Sequence, residues 1–301
     1  MSGNLAHEEK KASFQELSFK TLGESLKEKV GITNISFDIL KILNLCNKEG
    51  FYNIAGELLA DENDIEASRI DLVRYGQDRN QVLYRESLTN KSLLDQYDRV
   101  IEIFKQYYQY EEIKEEGSVK KELIPIGAFK ELLSNAMVHR AWDVNSPIQI
   151  SMYKDRIEMN SPGGLPEGIN EEEYLYRDIC ILRNPIIADV FSSLGLIKRR
   201  GSGIKRISQE YSNSFTKPFF DVGKSNVFTR LPLLEKDKLY LSEAESHIYY
   251  ILKEEIELSR IELDKKAGFN KYKTIRTLNK LVDKGTIRKL GDGPGTTYRL
   301  R

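Results

Sequence analysis

Glu131 and Asn135 are the polar residues whose types and spacing carry the clearest chemistry in this sequence. They lie four residues apart in the run ELLSNAMVHRAW, so on a helix both side chains project from the same face. A carboxylate within hydrogen-bond reach of a water can act as a general base, and an amide oxygen is the kind of hard ligand that Mg²⁺ accepts. A solvated helix face is the alternative interpretation of this pair when it is considered alone.

Two glycine-rich segments follow this run in the chain. The first is SPGGLPEG, with Gly163 and Gly164 after a strand-like segment, and the second is RRGSGIKR, with Gly201 and Gly203 at the start of a helical pattern. Each segment alone is explained by a turn or by a helix start. The sequence has no phosphate loop of the form G-x-x-x-x-G-K-[ST], so we do not expect a helicase motor.

Taken in order, four motifs resemble the ATPase-like half of a family of RecG-related transcriptional regulators: E-L-L-x-N-A-x-x-H-R, I-E-M-x-S-P-G-G-L-P, R-N-P and R-x-G-S-G-I. The first motif resembles the N-box of the gyrase, heat-shock chaperone, histidine kinase and MutL (GHKL) ATPase superfamily. The resemblance extends over residues 14–234, and a winged helix is a usual companion of this domain. It implies a GHKL ATPase-like fold that binds ATP and Mg²⁺.

The resemblance also implies roles for individual residues. Asn135 would coordinate the Mg²⁺ that bridges the phosphates, and Glu131 would orient or deprotonate the attacking water as the catalytic residue. Gly163 and Gly164 would form the adenine-binding turn, where small residues let the backbone approach the base. The other implied contacts are Gly201 and Gly203 at a phosphate-binding helix N-terminus, Arg199 and Arg200 just before it, and His139 and Arg140 facing phosphate or a partner.

The sequence departs from the family pattern in two respects. The superfamily reads adenine with an Asp in a D-x-G-x-G turn, whereas here Asn160 and Ser161 precede Pro162 and Gly163. Family members also commonly carry an AlbA-like or Schlafen-like N-terminal domain, and we expect none here because the resemblance starts near residue 14. On this expectation, DNA contact falls to the C-terminal block.

The C-terminal block, residues 240–301, has three helical patterns followed by two strand-like segments around the turn GDGPG. Ser242 and Glu245 form a capping-box pattern, and Gly268 and Gly285 close the second and third helices. This order predicts a winged helix-turn-helix. From residue 271 to residue 301 the sequence has nine Lys or Arg and two Asp, a net charge of +7.

In a helix-turn-helix, the N-terminal residues of the later helix reach the base edges in the major groove. We therefore expect double-stranded DNA to be bound by residues of the third helix and the wing: Asn270, Lys271, Tyr272, Lys273, Thr274, Arg276, Arg288 and Lys289. The apolar residues Leu278, Leu281 and Val282 are expected to face the core. Phosphate contacts would make the affinity depend on salt. A protein-docking or dimerisation module with a solvated charged face is the alternative interpretation.

The rest of the chain predicts the elements that must position these residues. Residues 1–120 are predicted as a mixed segment packed on the ATPase-like domain of residues 121–234. In the first segment, the strand-like runs RIDLVRYG and QVLYRESL precede the amphipathic helix SLLDQYDRVIEIFKQYYQY, and EEIKEEG is predicted as a charged connector. The second alternates helices with strands, including a hairpin in IQISMYKDRIEM. This order predicts an α+β sandwich with helices on one face of a sheet.

Composition sets further limits on function. Lys and Arg total 46, as do Asp and Glu, so the formal net charge is zero and does not indicate a polyanionic partner. Only a local cluster of basic residues can indicate such a partner. Long apolar segments and an apolar signal core are absent, which favours a cytoplasmic protein. Cys46 and Cys180, the only cysteines, lack metal-ligand spacing and are interpreted as buried thiols.

Three functions are consistent with these observations. The first is a DNA-binding transcriptional regulator, expected to be a homodimer, whose central domain binds ATP as a signal or dimer clamp. The second is an ATP hydrolase that uses Glu131 and Asn135, with the winged helix as a docking module. The third is a degenerate ATPase fold that serves as a dimerisation scaffold, which the missing adenine-reading Asp favours.

Overall fold

The computed structural model describes most of the chain in two compact units, Met1–Leu234 and Glu235–Arg301. The described residues are 6–114, 117–165, 171–176, 181–197, 203–212, 214–234, 241–284, 286–293 and 295–300. Several residues singled out from the sequence lie outside these ranges: Cys180, Arg199, Arg200, Gly201 and Gly285. Each unit has its own hydrophobic core.

The N-terminal unit begins with a 3-10 turn at His7–Glu9 and then alternates helices and strands. In chain order its elements are α1 (Lys20–Val30), α2 (Phe37–Ile42), α3 (Ile54–Leu59), β1 (Ile70–Tyr75), β2 (Val82–Leu88), α4 (Leu93–Tyr108), β3 (Gln109–Lys114), β4 (Gly117–Glu122), α5 (Ile126–His139), β5 (Ile148–Met152), β6 (Arg156–Pro162), α6 (Glu171–Tyr176), α7 (Pro185–Ser193), α8 (Gly203–Glu210), β7 (Phe219–Val222) and β8 (Asn226–Pro232).

Six of these strands form one mixed sheet in the order β2-β1-β5-β6-β8-β7. The β1–β5 pair is parallel and the other neighbours are antiparallel. Because side chains alternate across a sheet, one face buries apolar residues such as Ile148, Ile150 and Met159. The two strand-like runs predicted in residues 1–120 therefore belong to the same sheet as the central block. The mixed α+β architecture predicted from the sequence is confirmed.

The opposite face of this sheet is polar. Glu158 lies on it and accepts hydrogen bonds from Arg156 Nε at 2.8 Å and from Arg230 Nε at 3.1 Å. Burial alone would raise the pKa of Glu158, but these guanidinium groups lower it below its ordinary value. This face therefore satisfies its buried carboxylate with one guanidinium from the same strand and one from the neighbouring strand β8, and the apolar face carries the core.

Helix α5 is the central element of the apolar layer. Its buried residues include Phe129, Leu133, Ala136 and Met137, and Phe129 stacks on Phe104 of α4 with ring centroids 4.1 Å apart. Its apolar residues recur at helical spacing, so they lie on one face of α5, and this face packs against the core along the whole helix. The opposite face of α5 is thereby held in a defined position, which is where Glu131 and Asn135 lie.

The segment predicted as a charged connector instead forms most of β3 and the first residue of β4, which pair as an antiparallel ribbon, β3–β4. Its two strands pair from Gln109 with Glu122 to Lys114 with Gly117. Opposite charges face each other across the ribbon: Glu111 is paired with Lys120. The prediction was wrong because a charged two-stranded ribbon lacks the apolar alternation by which strands are recognised.

An N-terminal residue, Glu8, is fully buried against the beginning of α7. Its carboxylate oxygens accept hydrogen bonds from the backbone N–H groups of Ile186, at 2.6 Å, and Ile187, at 3.1 Å. An anionic side chain fits the N-terminus of a helix, where N–H groups lack partners within the helix. Burial nevertheless raises the pKa of Glu8 to about 7, against the lowering effect of these hydrogen bonds.

This raised pKa predicts a stability that falls as the pH rises. The folded chain holds the Glu8 proton more tightly than the unfolded chain, so the stabilisation is complete below about pH 4.5 and is lost through about pH 7. Urea unfolding of the wild type and of Glu8→Gln, followed by the fluorescence of Trp142, the single tryptophan, measures this effect. We expect the stability difference between the two proteins to change by about 1.4 kcal/mol per pH unit in this window. A difference independent of pH would contradict it.

The C-terminal unit combines three helices with a small sheet. Its elements are α9 (Glu243–Glu254), β9 (Leu258–Ser259), α10 (Arg260–Ala267), α11 (Lys271–Asp283), β10 (Ile287–Leu290) and β11 (Thr297–Leu300). The strands form an antiparallel sheet in the order β10-β11-β9. The core contains Ile248, Leu252, Leu258, Leu263, Leu278, Leu281 and Ile287.

Local capping explains where these helices begin and end. Ser242 and Glu245 form the predicted capping box, because the Glu245 backbone N–H donates to Ser242 Oγ and the Ser242 N–H donates to Glu245 Oε2. Gly268 adopts a left-handed conformation, with φ 65°, at the end of α10. Asn270 is the N-cap of helix α11, and its Oδ1 accepts from the Lys273 N–H at 2.9 Å. Leu278 and Leu281 are buried and Val282 is partly buried, as predicted.

Candidate functional site

Helix α5 brings Glu131 and Asn135 together on one face, next to the start of α8. Both side chains are partly buried, and Asn135 Nδ2 donates to Glu131 Oε1 at 3.3 Å. The i, i+4 spacing of a helix accounts for this contact. With its Nδ2 used in this way, the Asn135 amide keeps its oxygen as an acceptor or ligand atom.

Helix α8 begins next to this pair. A Cβ atom added to Gly203, its first residue, would lie 2.6 Å from Asn135 Nδ2 and 2.7 Å from Glu131 Oε1. A Cβ atom at residue 203 would displace the ends of these two side chains, so glycine leaves them undisturbed beside the N-terminus of α8. The first N–H groups of a helix lack partners within the helix and attract anions. Of the predicted phosphate contacts before α8, Arg199 and Gly201 lie outside the described residues.

Arg206 of α8 is a residue of this site that the sequence analysis missed. Its Nη2 donates to Glu131 Oε1 at 2.6 Å and its Nε donates to Glu131 Oε2 at 3.1 Å. The guanidinium group thus engages both carboxylate oxygens in the two-pronged geometry that suits an Arg–carboxylate pair. The only sequence signal was its position, one helical turn after Gly203.

The turn with Gly163 and Gly164 is packed against other parts of the chain. Gly163 has φ 95°, and a Cβ atom on it would lie 2.0 Å from Arg183 Nη1. A Cβ atom on Gly164 would lie 2.3 Å from the Lys224 carbonyl oxygen. Arg183 Nη2 also donates to the Gly164 carbonyl at 2.6 Å. A side chain at either glycine would therefore clash with other parts of the chain, and Arg183 lies over the turn.

The two polar residues before this turn point to opposite faces of the sheet. Ser161 is buried, and its hydroxyl donates to the Ala136 carbonyl of α5 at 3.1 Å. Asn160 lies on the polar face, where its Oδ1 accepts from Asn226 Nδ2 at 2.6 Å. Ser161 is thus the one of the two on the α5 side, and its oxygen retains acceptor capacity.

His139 and Arg140, at the end of α5, do not face an open phosphate site. Burial and the nearby Arg183 cation lower the pKa of His139 to about 4, so it is neutral near pH 7. The Arg140 side chain is 1% exposed and donates to the carbonyls of Ala67, Val144 at 3.1 Å and Ser146 at 2.8 Å. The expectation that Arg140 faces phosphate or a partner was wrong, because its guanidinium satisfies buried backbone carbonyls.

In the C-terminal unit, the first turns of α11 expose most of the predicted DNA-contacting side chains. The exposed residues of this set are Asn270, Lys271, Tyr272, Lys273, Arg276, Arg288 and Lys289. Tyr272 is 80% exposed, and Lys273 Nζ lies 3.8 Å from the centroid of the Phe269 ring. Thr274 is the exception: it is fully buried and its hydroxyl donates to the Asn270 carbonyl. Its helical position turns it toward the core, which removes it from the predicted contact set.

The described residues meet the requirements neither of a metal site made of His, Cys, Asp and Glu side chains nor of a membrane-spanning helix. Among the described residues, no group of three or more His, Cys, Asp or Glu side chains is arranged to hold a metal ion. No helix in the described part of the chain combines the length and apolar character needed to span a membrane. A metal at the α5 site would therefore depend on phosphate and water oxygens in addition to Asn135.

Comparison with known proteins identifies similarity in the central part of the chain. Residues 145–231 match the family described as "Putative ATP-dependent DNA helicase recG C-terminal". This match supports the RecG-related, ATPase-like domain expected there; it contains Gly163, Gly164 and Gly203 and begins after Asn135. No curated protein matches the sequence.

The fold is similar to a solved structure of the DIP2311 protein from Corynebacterium diphtheriae. The TM-score is 0.67 at 20% sequence identity, and the similarity covers 99% of this chain and 65% of that chain. At this identity the similarity shows the fold alone. The chain spans about two thirds of the length of that protein.

Proposed function

We propose that this chain is a DNA-binding transcriptional regulator whose ATPase-like domain binds ATP with Mg²⁺. The observation that carries the DNA part is the exposed basic surface formed by the start of α11 and by β10. The order helix, short strand, helix, helix and two strands supports a winged helix, in which the third helix would enter the major groove. Lys273 and Arg276 lie exposed on this helix, where they would contact bases or phosphates.

The nucleotide part of the proposal rests on the contact between α5 and α8. Asn135 and Glu131 lie beside the N-terminus of α8, and Gly203 supplies the space for that approach. Phosphate oxygens would accept hydrogen bonds from the α8 N–H groups, and the Asn135 oxygen would be a ligand of the metal. Bound Mg²⁺ would neutralise phosphate charge at this position. Ser161, a polar side chain on the α5 side of the sheet, would accept a hydrogen bond from the base.

A function as an ATP-binding regulator is favoured over rapid hydrolysis by one observation. Both oxygens of Glu131 accept hydrogen bonds from Arg206, which occupies the carboxylate that would activate water. Binding without fast turnover suits a signal or dimer clamp. A homodimer fits this role, because winged-helix regulators usually recognise paired half-sites.

Asn135→Ala tests the nucleotide site. Calorimetric titration of the full chain with ATP and Mg²⁺ should show about 10- to 100-fold weaker binding for this variant than for the wild type, by loss of a metal ligand. Asn160→Ala is the matched control, because it removes the same side chain from the polar face of the sheet and should leave the affinity unchanged. Equal affinities of the wild type and Asn135→Ala would reject this site.

The same titration with and without duplex DNA tests the regulatory role. If nucleotide and DNA binding are coupled, ATP must change the affinity for duplex by the factor by which duplex changes the affinity for ATP. Failure of the full chain to bind duplex at low salt would reject the DNA-binding function. Binding of both ligands with no mutual effect would leave two activities without the proposed regulation.

A further inference from the structure

The Glu131–Arg206 pair is a connection between two elements of the proposed nucleotide site. The Glu131 side chain is 12% exposed and the Arg206 side chain is 23% exposed, so water screens the pair only in part. Oε1 of Glu131 accepts from both Arg206 Nη2 and Asn135 Nδ2, while Oε2 accepts from Arg206 Nε. Both oxygens of the carboxylate are therefore occupied by groups of this chain.

This arrangement is unsuited to general base catalysis. In ATP hydrolysis the water oxygen forms a bond to the γ-phosphorus, the bond from that phosphorus to the bridging oxygen breaks, ADP leaves with the electron pair, and the base takes the water proton. The base needs a lone pair within hydrogen-bond reach of that water. A guanidinium group that donates to both carboxylate oxygens competes with the water for those lone pairs.

We infer that Arg206 is a lock on Glu131 that keeps the ATPase-like domain in a state that binds nucleotide without hydrolysing it. This inference rests on the proposed nucleotide function and adds its regulation. Arg206 acts through Glu131 and is therefore a positioning residue. The pair also ties α8 to α5, since Arg206 lies on the same helix as Gly203, the first residue of the N-terminus that would receive phosphate.

The geometry indicates what the lock controls. Glu131 and Asn135 lie on the same side of α5, so the phosphate site and the locked carboxylate are adjacent. Release of Arg206 frees the Glu131 oxygens without removing Asn135 or Gly203. Hydrolysis and binding are thereby separable, and a change that frees Arg206 raises turnover while affinity is preserved.

Arg206→Gln in the full chain tests the lock. We expect steady-state ATP turnover to rise at least 10-fold over the wild type, and the affinity for ATP and Mg²⁺, measured by calorimetry, to stay within about 3-fold. Amide hydrogen exchange in residues 203–210 should become faster, because the tie to α5 is lost. The matched control is Lys27→Gln, which makes the same charge change at an exposed position of α1 and should alter none of these quantities.

Two further variants keep the test informative. Glu131→Gln added to Arg206→Gln should return turnover to the wild-type level, which identifies Glu131 as the freed base. Arg206→Lys keeps the charge with one contact and should give an intermediate turnover. If Arg206→Lys shows raised turnover with hydrogen exchange like that of the wild type, the raised turnover comes from the weakened Arg206–Glu131 contact and not from a general loss of α8 structure.

The outcomes distinguish the lock from the function on which it rests. Unchanged or lower turnover in Arg206→Gln, with nucleotide binding retained, overturns the lock and leaves nucleotide binding in place. A fall in turnover would assign Arg206 to phosphate contact instead. Absence of nucleotide binding by the wild type and the variant overturns the proposed nucleotide function, and the lock with it.

Discussion

Arg140→Ala should destabilise the N-terminal unit by about 3–5 kcal/mol, although residue 140 contacts no ligand in the proposed site. The guanidinium group donates to three backbone carbonyls, those of Ala67, Val144 and Ser146, and lies 4.3 Å from the Trp142 ring. Truncation leaves these carbonyls without donors in a buried space and removes the packing of a large side chain.

The charge of Arg140 does not account for its contribution to stability. Burial lowers the pKa of Arg140 to about 10, so folding works against its charged form, which still predominates near pH 7. None of the ion pairs among the described residues includes Arg140. Its contribution to stability therefore comes from the carbonyls that it satisfies between the end of α5 and the segments before β1 and β5.

Urea unfolding followed by Trp142 fluorescence gives the free energy of unfolding of this unit. The transition midpoint is the quantity to compare, because Arg140 touches the reporter and its loss changes the signal amplitude. Arg85→Ala is the control: Arg85 is exposed on the polar face of the sheet, and its loss should cost less than about 0.5 kcal/mol. A cost below about 1 kcal/mol for Arg140→Ala would show that water replaces the guanidinium donors.

The elements that sequence analysis predicted are those whose signal is local. The apolar stripe of α4 and the alternation in β5 and β6 each lie within one segment, and the structure has these elements where they were expected. The caps of the C-terminal helices are likewise set by residues three or four positions apart, such as Ser242 and Glu245. The hydrophobic period and the helix caps depend on residues that are close together in the chain, so a single sequence is enough to predict them.

The features that sequence analysis missed depend on partners distant in the chain. Glu8 caps α7 across 178 positions, and Arg140 reaches Ala67 across 73. A charged residue in a sequence is expected at the surface, and only the assembled fold shows that unpaired backbone groups surround it. The ribbon β3–β4 was missed for a related reason, since cross-strand charge pairs replace the apolar pattern.

The candidate site was predictable in part. Glu131 and Asn135 were singled out by helical spacing, and Gly203 by its place before a helix; the structure brings all three together. Arg206 was missed because its contact joins α8 to α5, and Arg183, the first residue of the R-N-P motif, was given no role because its contact is with the distant Gly164 turn. Thr274 was assigned to the DNA face because it lies near the start of α11. It is buried instead, because the helical period places it on the same side of α11 as the core residue Leu278.

A double substitution in α11, Lys273→Ala with Arg276→Ala, should weaken binding of duplex DNA by the full chain about 10- to 100-fold at roughly 0.1 M salt. Both side chains are exposed near the start of the helix that would enter the major groove. Each lost phosphate contact should also lower the slope of log affinity against log salt by about one. Fluorescence anisotropy with labelled duplex at several salt concentrations measures both quantities.

The control for this experiment carries the same change in charge elsewhere. Lys27 and Lys105 are exposed on α1 and α4 of the N-terminal unit, so their double Ala variant lowers the net charge equally without altering α11. If binding came from overall charge, both double variants would lose the same affinity, and the basic surface of α11 would have no special role. If binding comes from α11, only the double variant Lys273→Ala with Arg276→Ala loses affinity and salt dependence. The reason is that salt at this concentration screens charges beyond about one Debye length, so only lysines and arginines close to the DNA phosphates contribute to binding.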